Sequence, residues 1–517
     1  MARLHEFQGK ALLRQMGITV PKEAVVTSAE AAADAVAIIG GETVLKAQAW
    51  TTARFKQGLI RFATTAADAT AITRELLARQ ISGYPVTHVL VEEKIDIAEE
   101  YFASLIISDT ESAPVLIFSA TGGSGVEEIV REHPDKVAYF TFDVRNGIRD
   151  FEARNLVRRT GIHGKAQQAI AGILVKLWQT ARKFEARSLE INPLVKTRDG
   201  RFLAADCRIT IDDYAVYRHP ELGIEIAREL NHPPTDLEKI AYKIEKDDYR
   251  GTFYFIQMAT NFEKTDRYVG FHGAGGGGSM MGMDALQRNG YRVANFCDTS
   301  GNPPASKVYR AAKIILSQKN IAGYFGSGSG VASQEQFHSA RGLVKAFREV
   351  WLAIPAVIRL GGNSEDLAVK ILTEYTRDLP APIEGYKKDD PVEFCVERLD
   401  ALIRESHIAP QPRLVQPPPS QHTYSFETPT GDITFDHDAC LNCETHICVE
   451  TCVPQILKLD NGKPVLNISR EDARNGKCIE CLACEVECHF RGNKGGRINL
   501  PIEGLDDRKG GANGNPD

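Results

Sequence analysis

The sequence predicts a multidomain α/β chain built from a mixed module rich in antiparallel sheet, a parallel-sheet module, and a small cysteine-bearing α+β module. Three observations carry this. Residues from about 4 to 235 alternate helical and strand patterns, with several strands that follow one another directly. Residues from about 266 to 405 alternate strand and helix one for one, the pattern of βαβ units on a parallel sheet. Eight of the eleven cysteines fall between Cys440 and Cys488. At 517 residues, each part is long enough to bury its own core.

In the first part, Leu4 to Met16 reads as a short amphipathic helix and Glu42 to Gln48 as a strand. Ala67 to Gln80 is helical and Val86 to Glu93 a strand. Glu99 to Ser108 and Ala113 to Ser119 form an antiparallel pair across acid- and serine-rich turn residues. A long helix runs from about Lys165 to Phe184. Ser188 to Lys196 and Phe202 to Ile209 then pair across the turn Arg198-Asp-Gly-Arg201. In the second part, strands near Tyr268 to His272, Arg292 to Phe296, Ile321 to Phe325 and Ala356 to Leu360 alternate with helices near 280–289, 305–317, 333–349 and 364–376. Two strand ends carry glycine-rich loops, Gly273 to Ser279 and Gly326 to Gly330. Ligands of such sheets bind beyond the C-terminal ends of strands, where glycine lets backbone N–H groups approach a phosphate or carboxylate. Gly275, Gly276, Gly277, Gly326 and Gly328 are the candidates.

The predicted boundaries are 1–235, 236–408, a proline-rich linker over 409–430 with Pro417-Pro-Pro419, a cysteine-bearing module over 431–505, and a disordered Gly/Asn/Asp tail over 506–517. Lys plus Arg total 62 against 68 Asp plus Glu, a formal charge of −6. That balance offers no support for nucleic-acid or membrane-surface binding. The N-terminus lacks an apolar signal core, and no run approaches eighteen apolar residues. A reduced, cytoplasmic protein with Cys207, Cys297 and Cys395 as buried thiols is the expectation.

The cysteines read Cys440-x2-Cys443-x4-Cys448-x3-Cys452-Pro-adjacent, then Cys478-x2-Cys481-x2-Cys484-x3-Cys488. The second group matches the bacterial ferredoxin run C-x2-C-x2-C-x3-C, in which three close thiolates hold one [4Fe–4S] cluster and the fourth ligates the other. The spacing therefore predicts one cluster on Cys440, Cys443, Cys448 and Cys488, and a second on Cys478, Cys481, Cys484 and Cys452. A pair of zinc sites is the rival, since C-x2-C pairs also hold zinc, though seldom in this run. A redox partner protein follows from the cluster reading.

Elsewhere, Lys46 lies on a predicted strand with Arg54 and Lys56 eight and ten residues on, cations suited to nucleotide phosphates. Read alone, three surface cations explain the same residues. Glu92 and Glu100 flank a strand crossing and suit a ribose or base edge. Glu190 and Asn192 share one face of a strand, with Asp206 on the paired strand. A carboxylate and an amide oxygen facing each other suit Mg²⁺, which takes few protein oxygens; a polar sheet face without metal is the bland alternative.

Taken together, Leu4-His-Glu-Phe-Gln-Gly-Lys10, Lys46-Ala-Gln48, Val91-Glu92 with Asp96-Ile-Ala and Glu100, Glu190-Ile-Asn-Pro-Leu-Val195 and Asp206 resemble the β subunit of succinyl-CoA synthetase, in order and over about four fifths of the chain. The resemblance implies an ATP-grasp domain followed by a flavodoxin-like ligase domain; the cysteine spacing adds a fused ferredoxin-like domain. It implies that Lys46, Glu92 and Glu100 hold ATP or ADP (or the guanine nucleotides), that Asn192 and Asp206 bind Mg²⁺, and that Glu190 faces a phosphohistidine from an α-like partner. That partner supplies CoA, a small carboxylate or acyl-CoA is the substrate, and the assembly is a hetero-oligomer. Where the family carries a glycine-rich turn after the lysine, this chain reads Thr51-Thr-Ala-Arg54-Phe55-Lys56-Gln-Gly58-Leu59. The two expectations are thus an NDP-forming acyl-CoA synthetase subunit with a fused electron-transfer module, and an electron-transfer or scaffold subunit of a CoA-thioester-handling oxidoreductase with a vestigial nucleotide site.

Overall fold

The computed structural model describes residues 1–517 except 52–53, 124–133, 247–252, 329, 331, 407, 409–417 and 508–517. The chain forms two compact units, Met1–Pro234 and Thr235–Asp517.

Two antiparallel sheets organise the first unit. The larger runs in the spatial order Ala2–Arg3, Cys207–Ile211, Ala186–Thr197, Ile97–Ser108, Ala113–Ser119, Val137–Thr141, with Phe202–Ala204 beside Ala186–Thr197. The smaller orders Glu23–Val26, Val89–Glu93, Thr43–Ala47 and Ile60–Ala63. Each sheet buries its alternate residues: Leu45, Val89 and Val91 in one, Leu189, Ile191 and Ile209 in the other. The helix Glu6–Gln15 is started by Gln8, whose side chain accepts from the His5 backbone N–H at 2.9 Å. It lies so close to the larger sheet that a Cβ on Gly9 would stand 2.8 Å from the Cys207 sulfur. Only glycine fits there.

The structure departs from expectation where the pair Phe202 to Ile209 is broken. Its strands are Phe202–Ala204 and Cys207–Ile211, and Ala205 and Asp206 fall in the gap. Asp206 is therefore not a strand residue. The gap also frees the Ala205 carbonyl from the ladder. The helices Ala31–Ile39 and Asp150–Arg159 were not legible in the pattern.

The second unit centres on a sheet ordered Tyr254–Gln257, Asn295–Asp298, Tyr268–Ala274, Gly323–Gly328, Ala356–Arg359, Ile383–Tyr386. All neighbours are parallel except the first pair. Helices Gly276–Arg288, Ala305–Leu316, Phe337–Val350 and Glu365–Tyr375 form the crossovers. Two of the predicted loops are corrected. Gly326 and Gly328 belong to the strand Gly323–Gly328, and Gly276 and Gly277 open the helix Gly276–Arg288. Gly275 precedes that helix at φ 95°, a conformation open to glycine.

The cysteine-bearing part is a sheet of Thr423–Glu427, Asp432–Asp436 and Gly496–Asn499, a hairpin of Leu457–Asp460 and Lys463–Leu466, and the helix Ala483–Arg491. Thr423–Glu427 lies inside the segment expected to be a tether, so the strand begins before the predicted boundary at 431; residues 409–417 and most of the expected tail, 508–517, are outside the described residues. Nor is this part separate from the parallel-sheet domain: they share one compact unit and one apolar core. Arg341 bonds Glu487 at 3.0 Å, the Tyr375 hydroxyl donates to Glu487 at 2.8 Å, Lys345 meets Glu485 at 2.8 Å, and Tyr375 stacks on Phe490. Partners more than a hundred residues apart leave no periodic trace in a sequence. Among the described residues no helix is long and apolar enough to cross a membrane.

Candidate functional site

A cavity of about 1000 Å³ opens in the first unit. Its lining brings together Lys46, Arg54, Lys56, Glu92, Glu100, Glu190, Asn192 and Asp206, eight residues drawn from five stretches of sequence. Lys46 and Glu92 stand on adjacent strands of the smaller sheet, and Glu100, Glu190 and Asn192 on adjacent strands of the larger one. Neighbouring strands are less than 5 Å apart, which is how residues nearly a hundred positions distant in sequence share one wall.

Beneath this lining lies a charge network of which the sequence reading caught only part. Glu6, which the motif at Leu4–Lys10 contains without a role, is buried and meets Lys10 at 2.7 Å, Lys46 at 2.8 Å and Arg54 at 2.6 Å. Lys10, fully buried, also pairs with Glu92, and Lys46 reaches Glu92 at 2.6 Å. Both ammonium groups donate to the freed Ala205 carbonyl, at 2.8 and 2.7 Å. Arg54 continues to Asp206 at 2.7 Å. Burying such charges is tolerable only because every one is paired. Burial would push the Glu6 carboxyl up, but Lys10, Lys46 and Arg54 hold it well below the usual range. The same carboxylates, Glu6 and Glu92, override burial and raise Lys10. One signal for Glu6 was available: Glu6 and Lys10 are spaced i, i+4 at a helix start.

Asp206 differs. Burial in the cavity floor pushes its carboxyl up despite Arg54 beside it, while 29% of its side chain still meets the cavity solvent. Glu190 is likewise raised by burial, with Arg208 opposing. The Asn192 amide oxygen accepts from the Gly123 N–H at 2.8 Å. Asp206 and Asn192 offer hard oxygen donors, the type Mg²⁺ selects. Nearby, His5 stacks with Phe7 and packs on Trp50 and His88; burial first, then His88 and Arg3, depress its imidazole to about 4.

In the second unit His272 is buried, with its ring nitrogens on the hydroxyls of Tyr324 and Thr299, and burial lowers it to about 4. Both ring nitrogens tie it into the fold.

All eight cysteines of the C-terminal part are buried. Among the described residues no group of three or more His, Cys, Asp or Glu side chains stands ready to hold a single metal ion. The sulfurs nevertheless fall into two neighbourhoods. Burial pushes Cys440 up to about 12, with Cys488 and Cys443 beside it adding to the shift. Cys448 is raised to about 12 by burial and by Cys488, Cys440 and Cys443. Cys478 is pushed up to about 12 by burial with Cys481 and Cys452 near, and Cys484 is raised well up by burial with Cys481, Cys478 and Cys452, and with Cys448 of the first set adding a smaller share. Cys452, Cys478, Cys481 and Cys484 also line one largely apolar cavity with Phe426, Ile433 and Ile498. Backbone contacts from His446, Asn493 and Thr445 outweigh burial and lower the Cys443 thiol. Cβ atoms on Gly495 and Gly492 would stand 3.1 and 3.4 Å from the sulfurs of Cys440 and Cys488, so the backbone closes directly over that set.

The ATP-grasp domain family matches residues 3–196. The β subunit of the GDP-forming succinate–CoA ligase of Thermus thermophilus is 35% identical over 370 residues, spanning 71% of this chain and 93% of that protein. The chain belongs to the succinate–CoA ligase β-subunit family. The ADP-forming β subunit of Staphylothermus marinus is 31% identical over 410 residues, 78% of this chain and all of that protein. Among solved structures, an ATP citrate lyase of Methanothrix soehngenii in complex with citrate and coenzyme A shares the fold at 18% identity and a TM-score of 0.61, covering 77% of this chain and 99% of that one.

Proposed function

We propose that this member of the succinate–CoA ligase β-subunit family is the nucleotide-handling subunit of an NDP-forming acid–thiol ligase. The observation that carries the reading is the single cavity on which Lys46, Arg54, Lys56, Glu92, Glu100, Glu190, Asn192 and Asp206 converge in a chain of that family. Lys46, Arg54 and Lys56 take the phosphates of ATP or GTP, and Glu92 and Glu100 the ribose and base side. Asn192 and Asp206 supply oxygen ligands for Mg²⁺, which neutralises phosphate charge. Glu190, half-buried and with a raised carboxyl, faces the imidazole of a phosphohistidine brought by an α-like, CoA-binding subunit. The γ-phosphoryl passes to that imidazole and then to a small carboxylate; CoA displaces phosphate from the acyl phosphate to give the thioester. Gly275, Gly276, Gly277, Gly326 and Gly328 border the carboxylate or phosphate in the parallel-sheet domain.

The test mixes purified chain and α-like partner with CoA, Mg-ATP or Mg-GTP and a panel of small carboxylates. Thioester formation lost in Asp206→Asn, with Mg-dependent nucleotide binding weakened about 100-fold by calorimetry, is the expected result. Thioester formation unchanged in Asp206→Asn overturns the metal assignment, and none across the panel overturns the activity.

The C-terminal part is read as holding two [4Fe–4S] clusters on Cys440, Cys443, Cys448 and Cys488, and on Cys478, Cys481, Cys484 and Cys452. Supporting this are the two sulfur neighbourhoods, the cavity shared by the second set, the backbone closing over the first, and the all-sulfur donor type. Bound clusters supply one-electron transfer to or from a redox partner protein. The residues themselves exclude water and aim backbone N–H groups at sulfur, as Gly496 does at Cys488 at 3.4 Å. Iron and acid-labile sulfide near four of each per cluster after anaerobic purification, with the spectrum of reduced cubanes, is the expected outcome. Stoichiometric zinc without sulfide overturns it.

A further inference from the structure

Arg54 and Glu6 stand in an arrangement that the family reading alone does not require. Glu6 gathers Lys10, Lys46 and Arg54 within 2.8 Å, and the Arg54 guanidinium bridges from Glu6 at 2.6 Å to Asp206 at 2.7 Å. Arg54 is 11% and Glu6 3% exposed at the side chain, so their contact is shielded from water, whereas Asp206 keeps 29% of its side chain open to the cavity. On the nucleotide-site reading above, on which this inference rests, Asp206 is a ligand of the metal while Lys46 and Arg54 receive phosphate. The chain therefore holds its own counter-ions in those places: a guanidinium on the carboxylate that takes the metal, and a carboxylate on the cations that take phosphate.

We propose that Glu6 and Arg54 are positioning residues forming an internal counter-ion pair that is exchanged for the metal–nucleotide complex, so that metal and nucleotide bind as one unit. The reason is charge accounting in a shielded site. Metal alone must displace Arg54 from Asp206 and then lie among Lys10, Lys46 and Arg54 with no added anion to offset them. Nucleotide alone must draw Lys46 and Arg54 off Glu6, leaving Asp206 unpaired beside incoming phosphate. Either move strands a buried charge, which is costly. Made together, each lost pair is replaced: metal on Asp206, phosphate on Lys46 and Arg54. Glu6 is not stranded, because Lys10 keeps both Glu6 and Glu92. Two ligands that each complete the other's charge balance are positively coupled, and the coupling is reciprocal.

The probe is Mn²⁺ in place of Mg²⁺, its free-ion EPR signal titrated against the full chain with and without ADP. In the wild type, ADP is expected to tighten Mn²⁺ binding at least about tenfold. Arg54→Ala should bind Mn²⁺ without nucleotide about tenfold more tightly than the wild type, and the enhancement by ADP should shrink accordingly. Arg54→Lys, which keeps a charge but loses the two-armed bridge, should fall between and guards against a folding defect in the alanine variant. Wild type and Arg54→Ala binding Mn²⁺ alone with equal affinity, while Mn²⁺–ADP binding is lost in Asp206→Asn, overturns the counter-ion pair and keeps the site. No Mn²⁺ binding by the wild type even with ADP overturns both.

Discussion

The charged cavity of the first unit and the cysteine-bearing part of the second solve burial of reactive groups in opposite ways. In the cavity, Glu6, Lys10, Lys46, Glu92 and Arg54 are buried as charges, and each meets an opposite charge from the same chain. In the cysteine-bearing part, burial and then neighbouring cysteines push Cys440, Cys448, Cys478 and Cys484 up, so that the uncharged thiol is favoured until something binds the sulfurs. A network of charges trades one counter-ion for another with little change in the fold. Thiols must lose protons before they bind a metal, so on the cluster reading occupancy there is linked to deprotonation and folding. The functions proposed above would make the first a site of exchange and the second a site of retention.

The sharpest way to break this contrast is to remove the occupants. On the cluster reading, stripping iron with a chelator should abolish the cooperative melting of the second unit in calorimetry, because metal binding and folding free energy would be shared there. Saturating the cavity with Mg-ADP at about a hundred times its Kd should stabilise the first unit by only about 2.7 kcal/mol. A stripped protein that melts unchanged would erase the distinction.

The next effect tests the internal pairing. Glu6→Gln leaves Lys10, Lys46 and Arg54 short of one anion and should cost about 3 kcal/mol in urea unfolding. Its pH signature has a definite sign. Glu6 is held well below the ordinary value of 4.5 in the folded chain. Its contribution is therefore complete above that value and lost as pH falls toward the folded one. The wild type should show this acid-side loss and Glu6→Gln should not.

Glu487→Gln probes the attachment of the cysteine-bearing part, since Arg341 and Tyr375 both bond its carboxylate out of water. A loss of about 3 kcal/mol is expected, and the double variant Arg341→Met with Glu487→Met should recover most of it, because a buried pair is replaceable by apolar packing while a half-pair is not. Additive losses in that cycle would show the contact to be incidental. The smallest effect sets the baseline: Arg198 and Asp96 pair at 3.0 Å with 73% of each side chain exposed, and Arg198→Ala should change stability by about 0.5 kcal/mol or less.

The alternation of strand and helix from Tyr268 to Tyr375 was legible because each element's period is local and its helices are long. The eight residues that share the cavity were legible through their motifs. Glu6 was not, because a carboxylate at a helix start reads as a favourable first-turn acid whether or not three cations converge on it. The helix expected near 280–289 begins earlier, at Gly276, and its first turn was hidden by four successive glycines, which argue for a loop until tertiary packing offsets their entropy.

By itself the sequence determined the fold class, the residue types available for phosphate, Mg²⁺ and sulfur ligation, and their order along the chain. Tertiary structure decided which charges face each other. The break at Ala205–Asp206 aims one carbonyl at two lysines, Arg54 reaches Asp206 across 152 residues, and Glu487 finds Arg341 across 146. Electrostatic pairing acts over a few ångströms of space and is indifferent to distance along the chain, so it takes form only when the fold has brought the partners together.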